Sequence, residues 1–174
     1  TSITITVVDS NDNGPIYPRP FDNSFTFDEN NILQTVMGVY VTSDLDFTVT
    51  NNAVTYSIVA GDPYAQFDYR ADTGTLLARG GAKKLDYENK TFYNLTLRAT
   101  DTGVPPNSDE INIFITVVDL NDETPVCVTP LTMYVLENQP IGREVLTAEG
   151  THIPATDADA PGEPNSKITY SFSQ

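Results

Sequence analysis

The feature that most constrains this chain is an internal repeat. The segment TVVDSNDNGP, which begins at Thr6, returns about 110 residues later as TVVDLNDETP, which begins at Thr116. A period of about 110 residues is too long for one turn of a solenoid and matches one small domain of a tandem array. Shorter motifs follow both copies in the same order: FDEN at 27–30 with VLEN at 135–138, DLD at 44–46 with DAD at 157–159, and Asn51 before Tyr56 with Asn165 before Tyr170.

The phase of the repeat divides the chain into three parts. We expect residues 1–13 to be the last strand and linker of one domain, 14–122 to form a complete domain, and 123–174 to be the opening half of the next. Half a domain of this kind would leave strand edges and one face of its core uncovered. The remainder of the third domain is therefore expected elsewhere in the intact molecule.

Each repeat period has the residue pattern of β-strands. Apolar side chains alternate with polar ones, which is typical of half-buried strands, and Asp72-Thr73-Gly74 predicts a turn between two of them. About seven short strands in roughly 100 residues predict an all-β Greek-key sandwich, with at most one helical turn at 63–66. The predicted strands are 3–7, 24–28, 33–41, 54–59, 75–78, 93–99 and 111–117.

The charge of the chain excludes several classes of partner. It has 24 acidic and 9 basic residues and a net charge of −15, without a basic stretch. Nucleic acids and anionic membrane surfaces are therefore excluded, and cations are the expected charged partners. No apolar run approaches the roughly 18 residues needed to span a bilayer, and no signal peptide opens the sequence.

About half of the acids lie in or beside the repeated motifs, on loops that also contain asparagine but no histidine or cysteine. Such groups supply the oxygen ligands of a hard cation such as Ca²⁺, whereas Zn²⁺ prefers nitrogen and sulfur. An isolated acidic pair is usually only solvated, but repetition of the whole set at domain spacing favours calcium. The acids are Asp9, Asp12, Glu29, Asp44, Asp46, Asp86, Glu88, Asp101, Asp119, Asp122, Glu137, Asp157 and Asp159.

Two other interpretations fail. An EF-hand needs Glu at the twelfth loop position, but counting from Asp9 that position is Pro20, and counting from Asp157 it is Ile168. A glycosidase uses paired carboxylates, but the acids are accounted for as ligands, and the lone His152 offers no Ser-His or Cys-His set. The chain is predicted to be non-enzymatic, with His152 exposed in a polar loop.

The compartment is indicated by two N-glycosylation acceptor patterns, Asn89-Lys90-Thr91 and Asn94-Leu95-Thr96. Asn94 points outward on its predicted strand and is the better acceptor, because Asn89 directly follows Glu88. Two such patterns in an acidic chain indicate a secreted or cell-surface protein. The single Cys127 cannot form an internal disulfide; we expect a buried small hydrophobe, with an intermolecular bridge as the alternative.

Several motifs resemble the calcium motifs of cadherin extracellular repeats: DSNDNGP at 9–15, LDYE at 85–88, ATDTG at 99–103 and DAD at 157–159. The resemblance covers essentially the whole chain. It implies tandem seven-stranded Greek-key immunoglobulin-like β-sandwiches joined by calcium-binding linkers, with three Ca²⁺ at each complete junction. Because the chain contains no Trp, it resembles the non-classical type, without adhesion by tryptophan exchange in this segment.

The resemblance also implies ligands, residue by residue. Asp9, Asp12 and Glu137 stand at positions that echo other ligands. At the upstream junction one site is implied, from Asn11, Asp44, Asp46, Asp101 and the carbonyls of Asn13 and Asn51. At the complete junction Glu29, Asp86, Glu88, Asp119, Asp122 and the Leu120 carbonyl bind two ions, and Asn121, Asp157, Asp159 and the carbonyls of Glu123 and Asn165 bind the third.

The function implied by this resemblance is calcium-dependent cell–cell adhesion. The chain would be part of a long ectodomain on the extracellular side of the plasma membrane, in a single-pass membrane protein whose rod is rigidified by calcium. Its partners would be other cadherin ectodomains, homophilic or heterophilic, in cis or in trans, without direct membrane contact in this segment. The alternative is a non-adhesive mechanical spacer, or ligand-presenting repeats of a large receptor.

Overall fold

The computed structural model describes residues 1–127, 132–147 and 150–171. The chain forms two compact units, Thr1–Val118 and Asp119–Gln174, here called unit 1 and unit 2. The predicted boundaries at 14 and 123 stay a prediction, and parts of the predicted third segment, at 128–131, 148–149 and 172–174, lie outside the described residues.

Unit 1 is a sandwich of two sheets and seven strands, as the sequence predicts. The four-stranded sheet has the order β1-β7-β6-β3 and the three-stranded sheet the order β2-β5-β4. Only β1 and β7 pair in parallel. The elements are β1 (Ser24–Asp28), β2 (Thr35–Val39), the short helix α1 (Val49–Asn52), β3 (Val54–Ala60), β4 (Phe67–Tyr69), β5 (Thr75–Ala78), β6 (Phe92–Asp101) and β7 (Ser108–Val118).

The core of unit 1 is built from alternate residues of the two long strands. Leu95 and Leu97 of β6 and Ile113 and Ile115 of β7 are completely buried, and Phe67 of β4 packs into the same cluster. Each such side chain contributes about 1.5–3 kcal/mol relative to exposure. This core fixes the ends of the strands, and the acidic loops lie at those ends.

Some predictions of local structure are wrong. Residues 3–7 form no strand, and Val7 is 91% exposed. A strand needs a partner, and among the described residues none pairs with this segment. The segment at 63–66 contains a turn at 63–64 and no helix. The strand β4 has no signal in the sequence, because it is too short to show an alternating pattern.

The described residues of unit 2 form two short ladders and one 3-10 turn. β8 (Val126–Cys127) pairs with β11 (Ala155–Thr156), β9 (Met133–Tyr134) pairs with β10 (Leu146–Thr147), and the 3-10 helix covers Pro164–Ser166. Among its described residues only Asp159 and Ala160 are buried. Cys127 is exposed, so the expectation of a buried hydrophobe is wrong. The reason is that β8 belongs to a two-residue ladder, and the described residues do not cover its side chain. His152 is exposed, as predicted.

Candidate metal-binding loops

The first acidic group of unit 1 consists of Glu29, Asp86 and Glu88. Each offers a carboxylate oxygen within 4.8 Å of the others. Glu29 follows β1 and is 2% exposed, and its Oε2 accepts a hydrogen bond of 2.9 Å from the Tyr87 amide. The Asp86 carboxylate accepts one of 3.1 Å from the Asn89 amide. At such separations each like-charged pair repels by about 3 kcal/mol at an intermediate dielectric, so the group favours a cation.

The second acidic region of unit 1 brings together most of the residues predicted for the upstream junction. The Asn11 side chain donates through Nδ2 to the Asp101 carboxylate at 3.3 Å, at the end of β6. The Asn13 side chain donates to Asp46 Oδ1 at 2.8 Å, and the Asp46 amide donates to Asp44 Oδ1 at 3.0 Å. We call this region the upstream loop cluster; it comprises Asp9, Asn11, Asn13, Asp44, Asp46, Asn51 and Asp101.

Several oxygens of the upstream loop cluster are buried without a partner. They are Oδ1 of Asn11 and Oδ2 of Asp44 and Asp46. Burial of a charged oxygen without a partner or counter-charge is costly. All three atoms are oxygens that can bind a hard metal ion, and no histidine or cysteine belongs to the cluster. This set of metal ligands therefore fits Ca²⁺ and does not fit a soft metal.

Asp9 has a different role from the other acids in the cluster. Its Oδ2 accepts hydrogen bonds of 2.7 Å from the Thr48 hydroxyl, 3.0 Å from the Thr48 amide and 2.7 Å from the Asn51 side chain. These bonds, led by the one from the Thr48 hydroxyl, hold the pKa of Asp9 below its ordinary value. Asp9 therefore shapes the loop that follows Asp46, and its neighbour Asp12 is exposed.

Unit 2 repeats this arrangement in its downstream loop cluster. The Asn165 side chain donates to Asp119 Oδ2 at 2.7 Å, and the Glu123 amide donates to Asp159 Oδ1 at 3.2 Å. The Asp159 amide donates to Asp157 Oδ1 at 3.1 Å. Asp159 is completely buried, and its Oδ2 has no partner. The cluster comprises Asp119, Glu123, Asp157, Asp159 and Asn165.

The remaining predicted ligands are exposed. A tight turn is formed by Leu120, Asn121 and Asp122. It is closed by a hydrogen bond of 2.9 Å from the Asp122 amide to the Leu120 carbonyl. Glu137 lies on an exposed turn, and it belongs to none of the acidic groups found among the residues that the structure describes.

Two residues whose roles were not predicted from the sequence hold the upstream loop cluster together. Asn107 donates through its side chain to the Asn13 carbonyl at 2.7 Å and through its amide to the Asp101 carboxylate at 3.0 Å. Gly103 leaves space for Asn11, because a Cβ there would lie 2.1 Å from the Asn11 side chain. Asn107 lies outside every repeated motif, so the sequence carries no signal for its role.

Comparison with known proteins agrees with this geometry. The family model "Cadherin domain" matches residues 23–118. Cadherin-23 of Rattus norvegicus is 36% identical over 161 residues, which cover 92% of this chain and 5% of that protein. Protocadherin Fat 1 of Homo sapiens is 34% identical over 174 residues, covering 98% of this chain and 4% of that protein. The chain belongs to the cadherin family, and it spans about one twentieth of the length of these relatives.

Solved structures show the same fold. The crystal structure of mouse Cadherin-23 EC22-24 has a TM-score of 0.71 and 30% identity, covering 91% of this chain and 47% of that one. The crystal structure of human CDH23 EC21-23 has a TM-score of 0.68 and 31% identity, and the match covers 88% of this chain and 46% of that one. Cadherin domains generally bind calcium, and they form a family of non-enzymatic modules. Across the described residues, no helix has the length and hydropathy to cross a membrane.

Proposed function

We propose that this chain is part of a calcium-dependent adhesive ectodomain on the extracellular side of the plasma membrane. The observation that carries the proposal is the set of buried carboxylate oxygens without a partner, on Asp44, Asp46 and Asp159. An ionised carboxylate buried in this way costs several kcal/mol unless a counter-charge is present. A hard cation that takes about 6 to 8 oxygen ligands supplies that charge.

The ligands we assign follow the family resemblance. One Ca²⁺ belongs to the upstream loop cluster, where Asn11, Asp44, Asp46 and Asp101 are already held by mutual hydrogen bonds. Three further ions belong to the junction between the units. Their ligands are Glu29, Asp86, Glu88, Asp119, Leu120, Asn121, Asp122, Glu123, Asp157, Asp159 and Asn165.

The proposed action is mechanical. Seven carboxylates of the junction repel one another, and three divalent ions bring nearly equal positive charge. With calcium we expect the two units to form a rigid rod, and without it a flexible hinge. Extracellular calcium modules bind with a Kd of about 10⁻⁴ to 10⁻³ M, so the hinge would respond to extracellular calcium and ignore cytosolic levels.

Thermal unfolding tests the metal proposal. At about 2 mM Ca²⁺ and a Kd near 10⁻⁴ M, each site adds about 1.8 kcal/mol of stability, so the Tm is expected to fall on chelation. Asp46→Asn should weaken this response. The matched control is Asp68→Asn, which removes an exposed ion pair with Arg79 at 3.9 Å and should leave the calcium response unchanged. An equal Tm in Ca²⁺ and in chelator would contradict the proposal.

Adhesion needs a separate test, because the chain is a small part of its relatives. Beads coated with the chain should aggregate in Ca²⁺ and disperse in chelator if this segment forms a contact in trans with another cadherin ectodomain. A calcium-dependent Tm without aggregation would instead favour the spacer function.

A further inference from the structure

An aromatic pair lies on the outer face of the four-stranded sheet. Phe92 of β6 and Phe114 of β7 are stacked, with ring centroids 6.2 Å apart and planes inclined by 14°. Their neighbours in sequence, Tyr93 and Ile115, are buried, so both phenylalanines point away from the core. Phe92 is 48% exposed. The pair therefore presents apolar surface to solvent rather than to the sandwich.

The glycosylation acceptor Asn94 stands beside both rings. In the register of β6 and β7, Asn94 is directly opposite Phe114, and Phe92 is two residues earlier on the same face. Side chains directly opposite have Cβ atoms about 5 Å apart, and diagonal neighbours remain within reach of aromatic rings. Asn94 is exposed, and in the described part of the chain its side chain has no hydrogen-bond partner.

Four polar residues further along this face are paired with one another. Thr96 donates to Asn112 at 3.0 Å, and Arg98 forms an ion pair with Glu110 at 2.6 Å. The apolar surface next to Asn94 is formed by the two rings, and Val118, further along the same face of β7, is 40% exposed. Two rings offer far less area than the roughly 800 Å² per partner of a standard protein interface. The size of the surface fits a sugar better than a protein.

The second acceptor, Asn89, lacks this environment. It also has an aromatic residue two positions earlier, Tyr87, but that ring packs against the core. Asn89 lies in a turn rather than a strand, and its amide donates to the Asp86 carboxylate at 3.1 Å. The two acceptors therefore differ in whether an exposed aromatic surface lies next to them.

We propose that Asn94 carries an N-linked glycan whose first N-acetylglucosamine lies on the Phe92–Phe114 rings. In the transfer, Asn94 Nδ2 forms a bond to the sugar C1 and loses a proton, and the bond from C1 to the pyrophosphate of a lipid-linked donor breaks. The C–H face of the sugar and the rings then remove apolar surface from water. This inference rests on the proposed extracellular location, because the transfer takes place in the secretory pathway.

The test uses the whole chain, secreted from cells that make only high-mannose glycans. Mass spectrometry measures the occupancy of Asn94 and Asn89. An endoglycosidase then trims the glycan to one N-acetylglucosamine, and the Tm is compared with that of Asn94→Gln. We expect high occupancy at Asn94, and a Tm higher by about 3 °C with the single sugar. The gain should vanish when Phe92→Ser and Phe114→Ser are combined.

The matched control is Phe47→Ser, which removes an exposed phenylalanine far along the chain from Asn94 and should leave the gain intact. Stacking is also read directly, as an upfield NMR shift of the sugar's N-acetyl methyl protons in the unsubstituted protein. An unoccupied Asn94, an equal gain without the rings, or an unshifted methyl signal would each overturn the proposal. The calcium response of Asn94→Gln is measured alongside, so that failure of the calcium proposal is seen separately.

Discussion

The upstream loop cluster lies on a sandwich with a complete core, whereas the downstream cluster belongs to a unit whose only buried described residues are Asp159 and Ala160. The hydrogen bonds of the two clusters are nevertheless nearly the same. Asn51 donates to Asp9 at 2.7 Å in the upstream cluster, and Asn165 donates to Asp119 at 2.7 Å in the downstream cluster. The Asn13 amide donates to Asp46 at 3.2 Å, and the Glu123 amide donates to Asp159 at the same distance. The Asp46 amide donates to Asp44 at 3.0 Å, and the Asp159 amide donates to Asp157 at 3.1 Å.

This agreement indicates that the repeated motifs make the same contacts on a large core and on a small one. Only the bonds of Asp46 to Asp44 and of Asp159 to Asp157 are local, and such bonds from an Asp side chain to a nearby backbone amide favour turns over regular ladders. The other bonds join segments that lie more than 30 residues apart in the sequence. The sandwich core adds what the local motif cannot supply. In unit 1 it brings Asp101, at the end of β6, to Asn11. In unit 2 the described residues contain no such strand.

The largest effect should come from removing a buried acid from each cluster. In Ca²⁺, Asp46→Ala should cost about 3 kcal/mol, because it removes both a ligand and the bonds from Asn13. In chelator the cost should shrink to about 1 kcal/mol, because the variant also removes a buried carboxylate oxygen without a partner. Denaturant unfolding with and without calcium measures both values.

Asp159→Ala is the matched variant in unit 2. It should abolish calcium protection of the Glu123 amide, which donates to Asp159, while calcium protection of the Asn13 amide in the upstream loop cluster is retained. Hydrogen exchange at the Asn13 and Glu123 amides compares the two clusters directly. Protection of both amides that does not depend on calcium would show that the loops need no metal.

The next effect concerns the acids that shape the loops. Asp9→Ala and Asp119→Ala each remove side-chain bonds at 2.7 Å, to Asn51 and Asn165 respectively. Each substitution should lower local stability and raise the Kd for calcium, since the loops lose their hydrogen-bond acceptor. Calcium titration by calorimetry measures both variants, and Asp119→Ala should weaken binding more, because Asp119 is also an assigned ligand. Unchanged binding in Asp9→Ala would mean that the core of unit 1 holds its loop without Asp9.

Much of this arrangement could be predicted from the sequence. The repeat at about 110 residues identifies the acidic positions in both clusters, and alternation identifies the long strands β6 and β7. The role of Asn107 could not be predicted, because the contact crosses more than 90 residues of sequence and has no second copy in this chain. The exposed Cys127 could not be predicted either, because burial depends on which layers cover a short strand.

Gly103→Ala tests the part of the upstream cluster that has no counterpart among the described residues of unit 2. The added Cβ would meet the Asn11 side chain at 2.1 Å and displace it from Asp101. We expect the Kd for calcium at the upstream cluster to rise about tenfold, equivalent to about 1.4 kcal/mol, with a smaller change in Tm. Unaltered calcium binding would show that Asn11 is not a ligand. Exchange at the Glu123 amide should stay unchanged.

The smallest effect should come from an acid outside both clusters. Burial raises the pKa of Asp109, but hydrogen bonds from Arg19 and the Tyr17 amide outweigh it and hold the pKa below its ordinary value of 3.8. A carboxyl whose pKa is depressed in the folded state stabilises the folded protein at pH values above the pKa of the unfolded state. This stability is lost as the pH falls through the pKa of the folded state. Asp109→Asn should therefore cost about 1 kcal/mol at pH 7, and this cost should diminish as the pH falls through the depressed pKa of the folded state. Because Asp109 belongs to neither cluster, the cost should be equal in Ca²⁺ and in chelator, and a calcium-dependent cost would show that the metal acts beyond the loops.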